Sequence, residues 1–190
     1  MLPTDSKGDS SPMKKSSSLI AIIVFPVCVQ AQTASQFWSP IDESKIKPCT
    51  EWVVLPKKYK TFHLANDHLK DVLWSAPDEK QVKLQDSKVI VEIPLPDGTM
   101  QKYRVVYSPV MAREMAAKFP DIKTFDLMAV DKSGSYGKAD WTDRGFHAMI
   151  GRKGIYIYID PFCLKNTTDY ISHIRSDDDP AVKLSPHWTM

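Results

Sequence analysis

The chain has 190 residues, 43% of them hydrophobic, and a formal net charge of +2, which leaves room for one packed domain and little for a second. Its basic residues are scattered, so the basic stripe of a nucleic-acid binder is missing. Fourteen prolines against seven glycines suit strands and turns better than a helical bundle.

Residues 1–12 (MLPTDSKGDSSP) are polar and aperiodic, and Met13 makes the better start, so they read as an upstream extension. Residues 13–31 have the anatomy of a secretory signal peptide. Lys14 and Lys15 supply the positive region, Leu19 to Val29 the apolar stretch, and Val29-Gln30-Ala31 small residues at the cleavage spacing. The apolar run is about half of the ~20 residues a membrane span needs. The expectation is a secreted or periplasmic protein with no membrane segment in its mature form. Cys28 leaves with the signal. In an oxidising compartment Cys49 and Cys163 can then form one disulfide, stabilising by roughly 3–5 kcal/mol through loop closure. Two separate buried thiols are the alternative.

Residues 32–48 read as a lead-in to a β-rich module spanning 49–175. Glu51 to Leu64 reads as extended, broken at Pro56. Asn66 to Ala76 predicts a helix capped by Asn66 or Asp67, with Leu69, Val72 and Leu73 on one face and Pro77 at its end. Lys88 to Pro94 and Thr99 to Tyr107 flank Pro96-Asp97-Gly98 as a β-hairpin. Ser108-Pro109 predicts the start of a second helix, whose apolar side is Val110, Met111, Met115, Ala116 and Phe119. Ile122 to Val130 reads as a strand, residues 131–137 as a loop, and Ala139 to Thr142 as a short strand. Gly145 to Ile150 and Ile155 to Asp160 form a second hairpin around Gly151-Arg152-Lys153-Gly154. Residues 176–190 read as a loosely ordered tail. The fold expected is α+β: mainly antiparallel sheet built from hairpins, curled or two-layered, with two short helices.

No Gly-x-Ser-x-Gly elbow, P-loop or His-Glu-x-x-His pair is present, so no catalytic, cofactor-binding or metal-binding residue is assigned. His63 and His68 are five apart and point to different sides of a helix. His147 reads as a hydrogen-bonded sheet residue. Asp140 and Asp143 sit beside a turn, where Asp is common for turn chemistry. Asp177-Asp178-Asp179 is followed by Pro180 and lacks the Gly and distal Glu of a calcium loop. Tyr103, Tyr107, Tyr156 and Tyr158 either pack in the core or form a face that covers a partner.

From Phe37 to Ile174 the order of segments resembles the N-terminal pro-region of secreted reprolysin-like zinc metallopeptidases of Bacteroidetes type. The resemblance is carried by Phe37-Trp38, by Leu69 to Pro77 ending in Ser75-Ala76-Pro77, and by Ile93-Pro94-Leu95-Pro96-Asp97-Gly98. It continues through Ser108-Pro109-Val110-Met111, Ala117 to Thr124, Gly145-Phe146-His147-Ala148-Met149 and Tyr158-Ile159-Asp160-Pro161. It implies a non-catalytic domain that assists folding of a metallopeptidase catalytic domain or holds it latent, in cis or in trans. The zinc would belong to that partner. The alternative is a stand-alone secreted or periplasmic binding domain. Cys163 stands where a hydroxyl residue is expected, and a thiolate from Cys163 or Cys49 on the partner's zinc is a second route to latency.

Overall fold

The computed structural model describes residues 35–54, 56–131, 133–164 and 166–177. The expected extension, signal peptide and most of the tail, including Asp178 and Asp179, lie outside the described residues. Nine strands form one antiparallel sheet: β1 (Trp38–Pro40), β2 (Tyr59–Leu64), β3 (Ile90–Pro94), β4 (Met100–Tyr107), β5 (Lys123–Ala129), β6 (Tyr136–Thr142), β7 (Gly145–Arg152), β8 (Ile155–Cys163) and β9 (Asn166–Ile174). Their order is β1-β2-β9-β8-β7-β6-β5-β4-β3, so β3 to β9 run as a continuous meander and β1 and β3 are the two edges.

The edges meet. The Trp38 indole N–H donates to the Glu92 carbonyl at 2.7 Å, and the Ser172 hydroxyl donates to the Pro94 carbonyl at 2.9 Å. The sheet is therefore curled into a nearly closed barrel, the mainly antiparallel architecture that the alternating pattern predicts. Side chains fill its interior. Phe62, Ile93, Tyr103, Val105, Phe125, Phe146, Ile150, Ile159 and Tyr170 are all essentially inaccessible to water. Helix α1 (Asn66–Trp74) adds Leu69 and Leu73 to the same core, and its Trp74 ring packs against Phe125 and Trp141.

Both hairpins form where the turn chemistry places them. Gly98 takes φ +92° between β3 and β4, and Lys153 and Gly154 both take positive φ between β7 and β8. Gly145, which opens β7, has φ +104°, and a Cβ there would lie 2.6 Å from the Tyr170 hydroxyl. That hydroxyl accepts from the Phe146 N–H at 3.0 Å and ties β9 to β7 across the barrel.

Several expectations are corrected. Helix α1 begins at Asn66, so its cap position is Ala65, which offers no side-chain oxygen. Strand β6 begins at Tyr136, three residues before the expected start. The lead-in supplies β1, which pairs Trp38 with Leu64. Helix α2 (Arg113–Lys118) begins five residues after Ser108 and buries nothing. Ser108 instead extends the β4–β5 ladder, its N–H donating to the Thr124 carbonyl at 2.9 Å. The tyrosines divide: Tyr103 is core and Tyr107 packs on Phe125, whereas Tyr156 is exposed and Tyr158 lies on the outer face against His173.

Residues 41–54 leave β1 and cross the outside of the barrel ahead of β2. Ile46, Val54 and Trp52 pack on Phe162 and Ile171, forming a small apolar cluster separate from the main core. Trp52 and Phe162 approach with ring centroids 4.6 Å apart. Cys49 and Cys163 are joined in a disulfide with Cα atoms 5.6 Å apart, closing a separation of 114 residues. It fastens this strap to the end of β8.

Candidate functional site

Four titratable side chains cross the outer face of β6, β7, β8 and β9 in a row: Asp140, His147, Asp160 and His173. Pairing sets the spacing. Asp140 lies opposite His147, and Tyr158, two residues from Asp160, lies opposite His173. Strand alternation turns all four away from the apolar interior, because their immediate neighbours Ala139, Phe146, Ala148, Ile159 and Ser172 are the inward-facing residues.

Asp160 is the centre of the row. One carboxylate oxygen is 3.0 Å from His147 Nδ1, and the other is 3.1 Å from His173 Nε2. Burial by itself raises the carboxyl pKa. The hydrogen bonds from His147 and His173 and the charge they carry when protonated outweigh it, so Asp160 is held below its ordinary value. An ionised carboxylate can only accept, so the two facing ring nitrogens carry hydrogens and donate. Tyr158 stacks on the His173 ring at 5.7 Å.

Asp140, at the end of the row, behaves oppositely. Burial pushes it up, the neighbouring His147 only partly offsets this, and the Asp160 charge pushes it further, to about 6. Its Oδ1 is buried without a hydrogen-bond partner among the described residues.

A carboxylate that orients an imidazole is part of the machinery of general-base catalysis. Access is the other part. His147 is 5% exposed and His173 1% exposed, so both imidazoles are walled in, while Asp140 at the end of the row is half-buried. A surface hollow of about 450 Å³, open to solvent, lies elsewhere, against Pro40, Asp42, Tyr59 and Asp97. Among the described residues no group of three or more His, Cys, Asp or Glu side chains is placed to hold a metal ion. Each oxygen of Asp160 is directed to a different ring, so His147, Asp160 and His173 clamp three neighbouring strands together.

The other residues singled out by sequence fall apart from the row. His63 Nδ1 pairs with Asp169 at 2.9 Å on the surface, while the His68 ring packs 5.3 Å from Phe37. Asp143 is exposed in the β6–β7 turn. Cys49 and Cys163 are bonded to each other, so a thiolate on a partner's zinc would first require that bond to be reduced. Sequence reading found His147 as a hydrogen-bonded sheet residue but missed its partner Asp160 and the second imidazole on that carboxylate, His173. Asp160 follows Ile159 in an otherwise hydrophobic strand, and a lone acid at such a position is the one available signal for a buried pair.

No family model matches the chain, and neither a curated protein nor a solved structure does. No helix among the described residues is long and apolar enough to cross a membrane.

Proposed function

We propose that this chain is an exported, non-catalytic domain that works by presenting a folded surface, as the pro-region-like partner of a reprolysin-like zinc metallopeptidase. The observation that carries this reading is that side chains fill the barrel interior and that, among the described residues, the imidazoles of His147 and His173 around Asp160 are almost closed to solvent. Such a molecule has a rigid exterior to offer and little room for a substrate. The strap disulfide adds support, since a disulfide persists in an oxidising compartment. The alternative is a stand-alone domain binding a small ligand, for which the hollow against Pro40, Asp42, Tyr59 and Asp97 is open rather than enclosed. Latency on this reading comes from covering the protease, and the zinc remains entirely the partner's.

The test is to add the exported chain to the catalytic domain of a reprolysin-like zinc metallopeptidase and follow peptide hydrolysis and complex formation. The expected result is a stoichiometric complex with inhibition at about micromolar concentration or below. Absence of both binding and inhibition at about ten times that concentration overturns the proposal.

A further inference from the structure

The strap outside β8 and β9 packs as a satellite of the barrel. Ile46 and Val54 are buried against Phe162 and Ile171, and Trp52 lies on the Phe162 ring. Among the described residues, none of 41–54 belongs to the main core. Among the same residues, the strap's main-chain hydrogen bonds to the barrel stand at two points. The Ile41 N–H donates to the Thr61 carbonyl at 3.1 Å, and the Glu51 carbonyl accepts from the Leu164 N–H at 2.9 Å. The Thr61 hydroxyl donates to the Ile41 carbonyl at 2.6 Å and the Tyr59 hydroxyl to Glu43 at 2.9 Å, reinforcing the first point. Fixing a segment of this length costs more conformational entropy than so few contacts return.

The covalent bond between Cys49 and Cys163 supplies what the contacts lack. It is also within reach of solvent. Lys47, Pro48, Thr50 and Glu51 around Cys49 are all exposed, and both cysteines are only half-buried. Thiol exchange needs a thiolate to meet a disulfide sulfur, so burial protects a disulfide inside a core and access makes one exchangeable.

The barrel is closed by other means. Its strands pair along continuous ladders, and its seam is bridged by Trp38 to the Glu92 carbonyl and by Ser172 to the Pro94 carbonyl. No strap residue takes part in either bridge. Opening the disulfide therefore removes the tie on the strap and leaves the seam and the interior packing in place. What it uncovers is Phe162 and Ile171, the two barrel residues under the strap.

We infer that the Cys49–Cys163 disulfide is a redox latch: a dithiol reductant opens it in the folded protein and frees the strap while the nine-stranded barrel stays intact. One thiolate of the dithiol attacks a sulfur of the bond and forms a mixed disulfide, releasing the other cysteine as a thiol. The second thiol of the reductant then displaces the cysteine still held. Two electrons and two protons pass to the chain, which ends with two thiols, and the reductant ends as a disulfide. The reverse exchange closes the latch. The inference stands independently of the function proposed above.

The experiment treats the oxidised chain with dithiothreitol in the absence of denaturant, alkylates it with iodoacetamide, locates the labels by peptide mass and follows amide hydrogen exchange. Cys49 and Cys163 are expected to take up the label. The amides of residues 46–54 should then exchange at least about tenfold faster, while those of β4 and β7 stay within about twofold of the oxidised protein. Oxidised dithiothreitol should restore the original exchange. The double variant Cys49→Ser/Cys163→Ser holds the strap open permanently and should show the fast strap exchange with no reductant present. Thiols that appear only in denaturant, or strap amides unchanged after reduction, overturn the latch and make the bond a static staple. Amides of β4 and β7 that exchange as fast as those of the strap, or a double variant that fails to fold, mean that the barrel depends on the bond and overturn the latch as well.

Discussion

On β7, β8 and β9 the inner face and the Asp160 clamp on the outer face are both closed to water, but by different chemistry. The inner face excludes water with Phe146, Ile150, Ile157, Ile159 and Tyr170, whose burial is favourable in itself. The outer face buries Asp160, which is tolerable only because two imidazoles donate to it. The first arrangement accepts many apolar substitutes of similar volume. The second depends on three particular groups. The same wall thus couples a forgiving interior to an exacting exterior, and the strap covers the neighbouring Phe162 and Ile171.

If the interior dominates stability, the largest loss should come at the seam. Trp38 is buried, meets Tyr170 edge-on with centroids 5.3 Å apart, and bridges to the Glu92 carbonyl. Trp38→Ala removes all three contributions and is expected to cost about 4 kcal/mol in chemical denaturation. The outer clamp comes next. Asp160→Asn keeps the shape and loses the charge, at an expected cost of about 2–3 kcal/mol near neutral pH. A seam variant less destabilised than the clamp variant would reverse the ranking and make the outer face the main support. The clamp also has a pH signature. The folded pKa of Asp160 lies below the ordinary 3.8, so its contribution is in force above that value and is lost as pH falls through the folded one. Asp160→Asn should remove that acid limb, and an unchanged limb would show that other carboxylates produce it.

The two faces also explain what the sequence discloses. Strands β3, β4, β7 and β8 are legible because β-favouring runs with regularly spaced apolar residues flank turns whose glycines take positive φ. Strand β9 is hidden because Ser172 and His173 are buried polar residues, indistinguishable by hydropathy from surface ones. Strand β1 is three residues long, too short for any periodicity. The apolar spacing at Val110, Met115 and Phe119 misleads for the opposite reason. Period reports which residues share a side and not what that side faces, so an outward ridge and a core-facing helix look alike. The clamp brings together residues from three strands, and only the barrel's register makes His147, Asp160 and His173 neighbours.

The smallest effect, and the one that separates the two carboxylates of the row, belongs to Asp140. Its folded pKa is raised from 3.8 to about 6. The stability tied to its protonated form is fully present below 3.8 and is lost as pH rises through about 6. From this row alone, then, acidification first stabilises as Asp140 takes up a proton, and then destabilises as the pH passes below the range of Asp160. Asn at position 140 has the shape of the acid without its charge. Asp140→Asn should therefore be more stable than wild type above about pH 6, by about 1–2 kcal/mol once partial solvent access is allowed for. The gain should shrink as pH is lowered toward about 4, where the wild-type carboxyl is itself neutral. A difference in unfolding free energy that stays flat over this range would mean that Asp140 titrates normally. Burial on the outer wall would then carry no electrostatic cost beyond Asp160 and its two imidazoles.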